Sequence, residues 1–267
     1  MLFRSPQLYS NLVKDLFWKY GWFVKHSAES QFEILTKLYG KGVRLPDRLI
    51  CVAGSGDHFK GYRNRTWETV PGNLHLTIHF APNQEIEHFF SGFLMIAAVS
   101  VVQTLNCFPG LTGKLAIKWV NDIIIDKAKV AGVLTHTASK GKMVTLALLG
   151  IGINVLTVPN VESDDFVPEV TSLHMHLKET PSLKIVFRKL LDAIQENYTL
   201  LLDGKHDQIL SAYRHYSAVL GKNIKVYSDP ISGNPQFIIS GIVQEITRNL
   251  ELKLRDQDKL INSGRIV

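Results

Sequence analysis

The sequence predicts an α+β fold, with a mixed, mainly antiparallel sheet flanked by helices and a small β-barrel at its C-terminal end. Strand-like segments between residues 114 and 137 follow one another across short turns. This pattern indicates hairpins and not the regular strand–helix alternation of a doubly wound sheet. After Gly221 the chain changes to short strands separated by Gly, Pro, Asn and Asp, over roughly fifty residues. The predicted domains are therefore residues 1–219 and 220–267.

Composition predicts a globular protein with an anionic partner. The chain has 267 residues, of which 45% are hydrophobic, and a net charge of +6. Such a charge favours a nucleotide, a nucleic acid or an acidic protein, although a generically basic enzyme has the same balance. Cys51 and Cys107 are the only two cysteines and form no Cys-x-x-Cys motif. We therefore expect no zinc cluster or disulfide framework, and a reducing, cytoplasmic compartment.

The N-terminal segment predicts an amphipathic helix, because Leu8, Leu12, Leu16 and Tyr20 recur at a spacing of four. An organellar presequence is the alternative, since basic residues outnumber acidic ones there. No run of eighteen apolar residues occurs, so we expect no membrane span. The most apolar stretch, residues 93–102, predicts a buried helix.

The first half of the predicted large domain alternates strands and helices. Ser27 is the expected N-cap of a helix that runs to about Tyr39. Residues 73–80 alternate apolar and polar side chains, which predicts a half-buried strand. A long helix is expected from Gln84 to Asn106, ended by Pro109-Gly110. The other strands predicted here are residues 21–26 and 49–53.

The second half begins with three closely spaced strands, and Lys127-Ala128 is the expected hairpin turn between the last two. Residues 143–154 are apolar on both faces, which predicts a central strand. The remaining predicted elements are strands 114–119, 122–126 and 129–137, helices 171–177, 182–202 and 207–219, and barrel strands 224–227, 237–246, 250–254 and 259–261.

A basic loop, residues 58–67, is the first candidate binding segment. It interleaves Lys60, Arg63 and Arg65 with glycine and aromatic residues. Guanidinium groups bind phosphate in a bidentate manner, glycine lets backbone approach a ligand, and Trp67 could stack on a base. A solvated loop that contacts RNA is an equally open interpretation.

The second candidate segment is Lys118-Trp119-Val120-Asn121-Asp122. A lysine at a strand end can offset charge on a carboxylate and an α-phosphate, and Asp122 could hold magnesium. A polar hairpin connection is the alternative interpretation. The third is Gly150-Ile151-Gly152-Ile153-Asn154, where two glycines in a buried strand indicate the close approach of a ligand, or a bulge.

The sequence lacks the motifs of several other kinds of binding site. Neither a phosphate-binding P-loop nor a complete Gly-x-Gly-x-x-Gly motif is present. The pairs His75/His79 and His174/His176 lack a further ligand at metal-binding spacing, so we expect satisfied or surface residues.

Together these segments resemble the biotin–protein ligases, the relatives of lipoate ligases. The family's Lys-Trp-Pro-Asn-Asp motif corresponds to residues 118–122, and its Lys-x-Ala-Gly-[Ile/Val]-Leu motif to residues 129–134. Its Gly-x-Gly-x-Asn segment corresponds to residues 150–154. The resemblance covers nearly the whole chain from about Tyr20 and implies a C-terminal SH3-like barrel. It leaves no room before Tyr20 for the winged-helix domain of some members.

The resemblance also implies the site residues. Lys118 and Arg63 would be catalytic, and Asp122 would hold Mg²⁺. The implied biotin contacts are Ser30, Gly56, Lys60, Gly61, Tyr62, Lys118 and Gly132. The implied nucleotide contacts are Lys60, Arg63, Arg65, Trp67, Asn121, Lys129 and Asn154.

Two departures concern the loop and the head-group pocket. The family's Gly-Arg-Gly-Arg-x-Gly loop is Phe59-Lys60-Gly61-Tyr62-Arg63-Asn64 here, so Tyr62 stands where the family has arginine. Gly56 stands at the family's biotin-contacting glutamine. Residues 28–30 replace its Ser-Thr-Asn segment, where Ser30 alone keeps a comparable small polar group.

The resemblance implies ATP-dependent attachment of biotin to a lysine of a carboxylase's biotin-carrier domain, through biotinyl-5'-AMP. Lipoate or octanoate attachment is one alternative, and a catalytically weak binding module is another. ATP and Mg²⁺ would be required. We expect no membrane or nucleic-acid partner, and a homodimer is left open.

Overall fold

The computed structural model describes residues 17–230 and 234–267 of the chain. The predicted N-terminal helix falls largely outside these residues. Its last member, Tyr20, instead begins the first strand of the main sheet.

The main sheet has eight strands, in the order β1-β2-β3-β8-β7-β6-β5, with β4 paired to β8. β1 and β2 are parallel, and every other neighbouring pair is antiparallel. The prediction of a mixed, mainly antiparallel sheet is therefore confirmed. The elements are β1 (Tyr20–Ser27), α1 (Gln31–Gly40), β2 (Leu49–Gly56), β3 (Leu74–Phe80), β4 (Gln84–Glu85), α2 (Phe89–Asn106), β5 (Leu115–Lys118), β6 (Asp122–Ile125), β7 (Ala128–Lys140) and β8 (Met143–Ile153).

Two helices and a second sheet follow. The helices are α3 (Leu183–Leu202) and α4 (His206–His215). The second sheet is antiparallel and has five strands, in the order β12-β11-β10-β9-β13. These strands are β9 (Asn223–Tyr227), β10 (Phe237–Ile246), β11 (Leu252–Leu254), β12 (Leu260–Ile261) and β13 (Arg265–Ile266).

Helix α2 is the centre of the core. It packs against β7 and β8 on one side and against α3 and α4 on the other. Among the described helices it alone is long and apolar enough to cross a membrane by length and composition, and most of it is buried. Its apolarity is explained by this burial, as predicted for residues 93–102. The same core continues without a break into the second sheet through Ile224, Val243 and Leu252.

Three local predictions about this part of the chain are wrong for identifiable reasons. Helix α1 is capped by Ser30 and not Ser27, because the Ser30 hydroxyl accepts a hydrogen bond from the Glu33 N–H at 3.2 Å. Helix α2 starts at Phe89, since Gln84 and Glu85 pair with β8 as a short strand. The turn between β6 and β7 is formed by residues 126 and 127, one position earlier than predicted.

Strand β3 is buried on both faces and not on one. Its apolar residues face α2, whereas His75, Thr77 and His79 face the side that α1 covers. Alternation therefore records the chemistry of two buried faces here. On this polar face His75 lies opposite Gly152 of β8, and Thr77 lies opposite Gly150.

A buried amide, Asn73, ties the start of β3 to the chain that leaves β8. Its Oδ1 accepts hydrogen bonds from the N–H groups of Val155 and Thr157, at 2.9 and 3.2 Å. Its Nδ2 donates to Thr157 O at 2.9 Å and to Asn154 Oδ1 at 3.3 Å. Asn73 thus satisfies backbone groups that no strand pairs.

We predict that Asn73→Ala lowers the free energy of unfolding by about 2–4 kcal/mol, because buried N–H groups lose their acceptor. Urea unfolding followed by circular dichroism measures this change. Asn160→Ala, at an exposed loop position, is the matched control and should change stability by less than about 0.5 kcal/mol. Equal effects of the two substitutions would contradict the assignment.

Candidate active site

One cross-strand row of the main sheet forms the floor of the candidate site. Register places Ala53 opposite His75, His75 opposite Gly152, and Gly152 opposite Gly132. Gly132 in turn lies opposite Asp122, and Asp122 opposite Lys118. Directly paired residues point to the same face of a sheet. The row therefore carries a histidine at one side, two glycines in the middle, and a carboxylate and an amine at the other side.

Trp67 lies against the two glycines. A Cβ atom on Gly152 would stand 2.2 Å from the Trp67 ring, and one on Gly132 would stand 3.1 Å from it. The indole Nε1–H donates a hydrogen bond to His75 Nδ1 at 3.3 Å. Glycine at both positions is therefore what allows the aromatic ring to reach the sheet, which explains the glycines noted in β8.

Four charged groups gather at the other side of the row. Lys129 Nζ lies 2.6 Å from Asp122 Oδ1 and 5.5 Å from the centroid of the Trp67 ring. Burial lowers the pKa of Lys118, the charge of Asp122 raises it, and the charges of Lys129 and Arg65 lower it further. The amine of Lys118 is thus half-buried within electrostatic reach of the basic loop. It does not point away into solvent.

The basic loop closes over this floor. Gly61 N–H donates to Arg65 O at 2.7 Å, and Trp67 N–H donates to Phe59 O at 2.9 Å, which folds residues 59–67 back on themselves. Lys60 Nζ lies 3.7 Å from Glu33 Oε1, so the loop also contacts α1. Between the loop and the sheet lies a cavity of about 250 Å³.

Most of the predicted site residues line this cavity. They are Ser30, Lys60, Gly61, Tyr62, Arg65, Trp67, Asn121, Asp122, Lys129, Gly132 and Asn154. Gly56, Arg63 and Lys118 are not among the lining residues. Gly56 lies behind the Phe59 ring, which would stand 2.2 Å from an added Cβ. Arg63 turns toward the second sheet, and Lys118 lies one strand beyond Asp122.

The two predicted asparagine contacts are already hydrogen-bonded within the protein. Asn121 Nδ2 donates to Val133 O at 2.7 Å. Asn154 Nδ2 donates to Thr171 O at 3.0 Å, and its Oδ1 accepts from Asn73. Each amide retains one further N–H for a ligand. Both side chains therefore hold the cavity wall in place, and their prediction as nucleotide contacts stays a prediction.

Asp122 is the carboxylate predicted to hold Mg²⁺, and this role stays a prediction. Mg²⁺ prefers an octahedral set of oxygen ligands. Asp122 is already paired with Lys129. Within residues 17–230 and 234–267, no group of three or more His, Cys, Asp or Glu side chains converges to hold a metal.

Sequence reasoning missed several lining residues, among them Gln31, Phe59, His75, Thr77 and Phe166. The Gln31 side chain is buried, and its Nε2 has no hydrogen-bond partner among the described residues. The alternation of residues 73–80 puts His75 and Thr77 on the same face of the strand. It could have identified them as lining residues if both faces of the strand had been recognised as buried. No local signal identifies Phe166, which comes from the loop between β8 and α3.

Residues 45–154 match the model of the biotin/lipoate A/B protein ligase family. This part of the chain is therefore similar to that family, in agreement with the resemblance found in the sequence.

Two named relatives are similar to parts of the chain. The bifunctional ligase/repressor BirA of Bacillus spizizenii is 27% identical over 185 residues, which are 67% of this chain and 55% of the relative. The biotin–[acetyl-CoA-carboxylase] ligase of Paracoccus denitrificans is 32% identical over 101 residues, which are 38% of this chain and 42% of the relative. The chain thus spans about half the length of these curated relatives.

Solved structures share the fold. A biotin protein ligase from Aquifex aeolicus, in complex with biotin and ATP, aligns with a TM-score of 0.69 and 22% identity. The alignment covers 92% of this chain and 97% of that one. The biotin protein ligase of Leishmania major, in complex with biotinyl-5-AMP, has a TM-score of 0.56 and 17% identity, covering 92% and 98% of the two chains.

We predict that Gly152→Ala displaces Trp67, because the added methyl group and the ring cannot occupy the same space. Overpacking of this kind should lower the free energy of unfolding by about 1–3 kcal/mol and change the near-ultraviolet circular dichroism spectrum. Gly40→Ala, where an added Cβ meets nothing within 4 Å, is the control. An unchanged spectrum in Gly152→Ala would contradict the placement of Trp67.

We also predict that His75 makes stability depend on pH. Burial lowers the pKa of His75 to about 4. The unfolded chain therefore binds the extra proton first as pH falls. The stability contributed by neutral His75 is complete above pH 6.5 and is lost toward pH 4, by about 3 kcal/mol.

The measurement is the free energy of unfolding at pH 7 and pH 4 for wild type and His75→Gln. The decrease should be smaller in the variant by that amount, because glutamine does not titrate. His174→Gln, at an exposed position, is the control and should retain the wild-type dependence. Parallel pH profiles for wild type and His75→Gln would refute the role of His75.

Proposed function

We propose that this protein is a biotin–protein ligase, which uses ATP to attach biotin to a lysine of a biotin-carrier domain. In the first step a carboxylate oxygen of biotin attacks the α-phosphorus of ATP. Biotinyl-5'-AMP forms and pyrophosphate leaves. In the second step the neutral amine of the carrier lysine attacks the mixed anhydride carbonyl. An amide forms, AMP leaves, and the amine proton passes to solvent.

The row that ends in Lys118 carries this proposal. In this row Lys118 pairs with Asp122, which lines the cavity, and the charges of Lys129 and Arg65 act on its amine. A cation at this point would stabilise the negative charge that develops when a carboxylate approaches an α-phosphate. Partial burial strengthens that interaction, since water screens it less.

The other lining residues supply complementary contacts. Trp67 offers a ring face to the adenine, and Lys60, Arg65 and Lys129 offer N–H donors to the phosphates. The unpartnered amide of Gln31, beside Thr77 and Phe32, would hydrogen-bond the polar head of the acid. The loop over the cavity would exclude water from the hydrolysable intermediate. Mg²⁺ would arrive bound to the phosphates of ATP.

The named relatives support biotin as the acid. One is named a biotin–[acetyl-CoA-carboxylase] ligase and the other a bifunctional ligase/repressor BirA, and the two structures described above were solved with biotin and ATP and with biotinyl-5-AMP. Attachment of lipoate or octanoate is not favoured by these relatives. The carrier domain of a carboxylase is the partner we propose, and its acidic surface would complement the net charge of +6.

Three expectations accompany the proposal. The second sheet is proposed to be an SH3-like barrel, in keeping with its five short antiparallel strands. A cytoplasmic location is proposed from the absence of cysteine pairing motifs in the sequence. A homodimer is the third expectation, to be tested by light scattering.

The deciding experiment is the exchange of label from pyrophosphate into ATP in the presence of each acid. Biotin-dependent exchange supports the proposal. Lipoate-dependent exchange would replace biotin by lipoate, and the absence of exchange with either acid would leave a binding module. Transfer to a carrier domain, detected by mass spectrometry as a biotinyl-lysine, tests the second step separately.

We predict that Lys118→Ala lowers biotin-dependent exchange by about 100-fold or more, because the developing charge loses its cation. Lys127→Ala removes an exposed lysine in the neighbouring turn and is the matched control for lost charge. It should retain exchange close to wild type. Normal exchange in Lys118→Ala would show that this amine does not stabilise the transition state.

A further inference from the structure

The carboxylate of Asp229, which follows strand β9 of the second sheet, contacts three arginines. The guanidinium of Arg65 contacts Asp229 Oδ1, Arg63 Nε lies 3.3 Å from Oδ2, and Arg265 Nε lies 2.8 Å from Oδ1. Arg63 Nη1 also donates to the Asp229 carbonyl at 2.7 Å. The Asp229 side chain is only 3% exposed. Residues more than 160 positions apart in sequence thus meet at a single buried acid.

Both oxygen atoms of the Asp229 carboxylate are paired with these arginines. Burial raises the pKa of Asp229, but the hydrogen bonds and charges of Arg265 and Arg65 outweigh burial and lower it. Hydrogen bonds between ions are among the strongest in proteins. Three cations around one anion leave a net positive charge at the loop, which suits it to receive phosphates.

Asp229 lies behind the arginines as seen from the cavity. Arg65 lines the cavity, whereas Asp229 is not among the lining residues. The contact uses one nitrogen of Arg65, Nη2, and leaves other N–H donors of the guanidinium. A ligand in the cavity can therefore reach Arg65 without displacing Asp229. The carboxylate orients the arginine and does not compete with the ligand.

Arg63 provides independent support. Its backbone is in the left-handed conformation, with φ 55° and ψ 40°. A non-glycine residue adopts this conformation at an energetic cost, and it persists only where surrounding contacts hold it. The contacts that Arg63 makes with Asp229, through Nε and Nη1, are such contacts. The contacts with Asp229 therefore hold the backbone conformation of the basic loop and also offset part of its positive charge.

A second link joins the same unit to the cavity rim. The Arg265 guanidinium lies 5.6 Å from the centroid of the Phe166 ring, and Phe166 also packs edge-on against Tyr227. Phe166 itself lines the cavity. Two rim segments, the basic loop and the loop before α3, thus rest on residues of β9, β13 and the connection after β9.

We propose that Asp229 is a positioning residue that holds Arg65 ready for ATP phosphates and fixes the basic loop through Arg63, so that the C-terminal unit sets the affinity for ATP. This inference rests on the proposed function for the identity of the ligand. It assigns Asp229 no contact with substrate. It predicts an effect on the KM for ATP and little effect on kcat once the site is saturated.

The test compares Asp229→Asn with wild type in biotin-dependent pyrophosphate exchange. Asparagine keeps the shape of the side chain but loses the charge, so three cations remain with one uncharged acceptor. We expect the KM for ATP to rise about tenfold, the KM for biotin to change less than about twofold, and kcat to stay within about threefold. Asp258→Asn, at an exposed acid of the same unit, should leave all three constants unchanged.

A double-mutant comparison separates positioning from general damage. If Asp229 acts through Arg65, then Arg65→Met should raise the KM for ATP by a smaller factor in the Asp229→Asn background than in wild type. Independent factors that multiply, an unchanged KM for ATP, or a lowered stability with an unchanged KM would each overturn the proposal.

A readout that does not need catalysis keeps the two proposals distinguishable. The amides of Gly61 and Trp67 bond within the loop, and their hydrogen exchange in the free protein should be about tenfold faster in Asp229→Asn. Binding of a non-hydrolysable ATP analogue, measured by calorimetry, should weaken by the same factor as the KM. If wild type shows no exchange with any acid, the proposed function fails, and these two measurements still decide the role of Asp229. Unchanged amide exchange and analogue binding would overturn it.

Discussion

The contact between Trp67 and the glycine floor is the constraint on which the rest of the site depends. An aromatic ring can lie on a sheet only where the strands beneath it lack side chains, and Gly132 and Gly152 supply that surface. The contact brings the basic loop down to the sheet and sets the height of the cavity.

The two lysines at the charged side of the row differ in their electrostatic surroundings, and this difference determines which of them can receive an anion. Lys129 is paired with Asp122, whereas Lys118 feels Asp122 only at longer range and is opposed by two cations. An approaching anion would therefore interact most strongly with the amine that has no close partner in the described residues. The polar sequence around residue 118 has its physical explanation here, since each polar group is either satisfied or reserved for a ligand.

Sequence reasoning reached the parts of the site that are local in the chain. The basic loop, the segment from Lys118 to Asp122 and the glycines of β8 are candidate ligand contacts in the sequence, because each combines polar or small residues with a neighbouring buried strand. It did not reach features that depend on packing between distant segments. The burial of His75 requires α1 above β3, and the neighbourhood of Arg63 and Arg65 requires the second sheet. The errors at Ser27 and Gln84 have the same origin, since a nearby cap and a strand partner overrode a local pattern.

The Trp119 indole donates a hydrogen bond to Leu250 O at 2.7 Å, and Tyr213 OH donates to Val120 O at 2.8 Å. The segment formed by residues 118–122 is thus held on one side by helix α4 and on the other side by the C-terminal sheet. A cut near residue 219 would leave that tryptophan's N–H buried without an acceptor and would strip the shared core of one wall. The two sequence-defined units are therefore not interchangeable modules. In a chimera that carried the C-terminal unit of a relative, the contacts between that unit and residues 118–122 would no longer match.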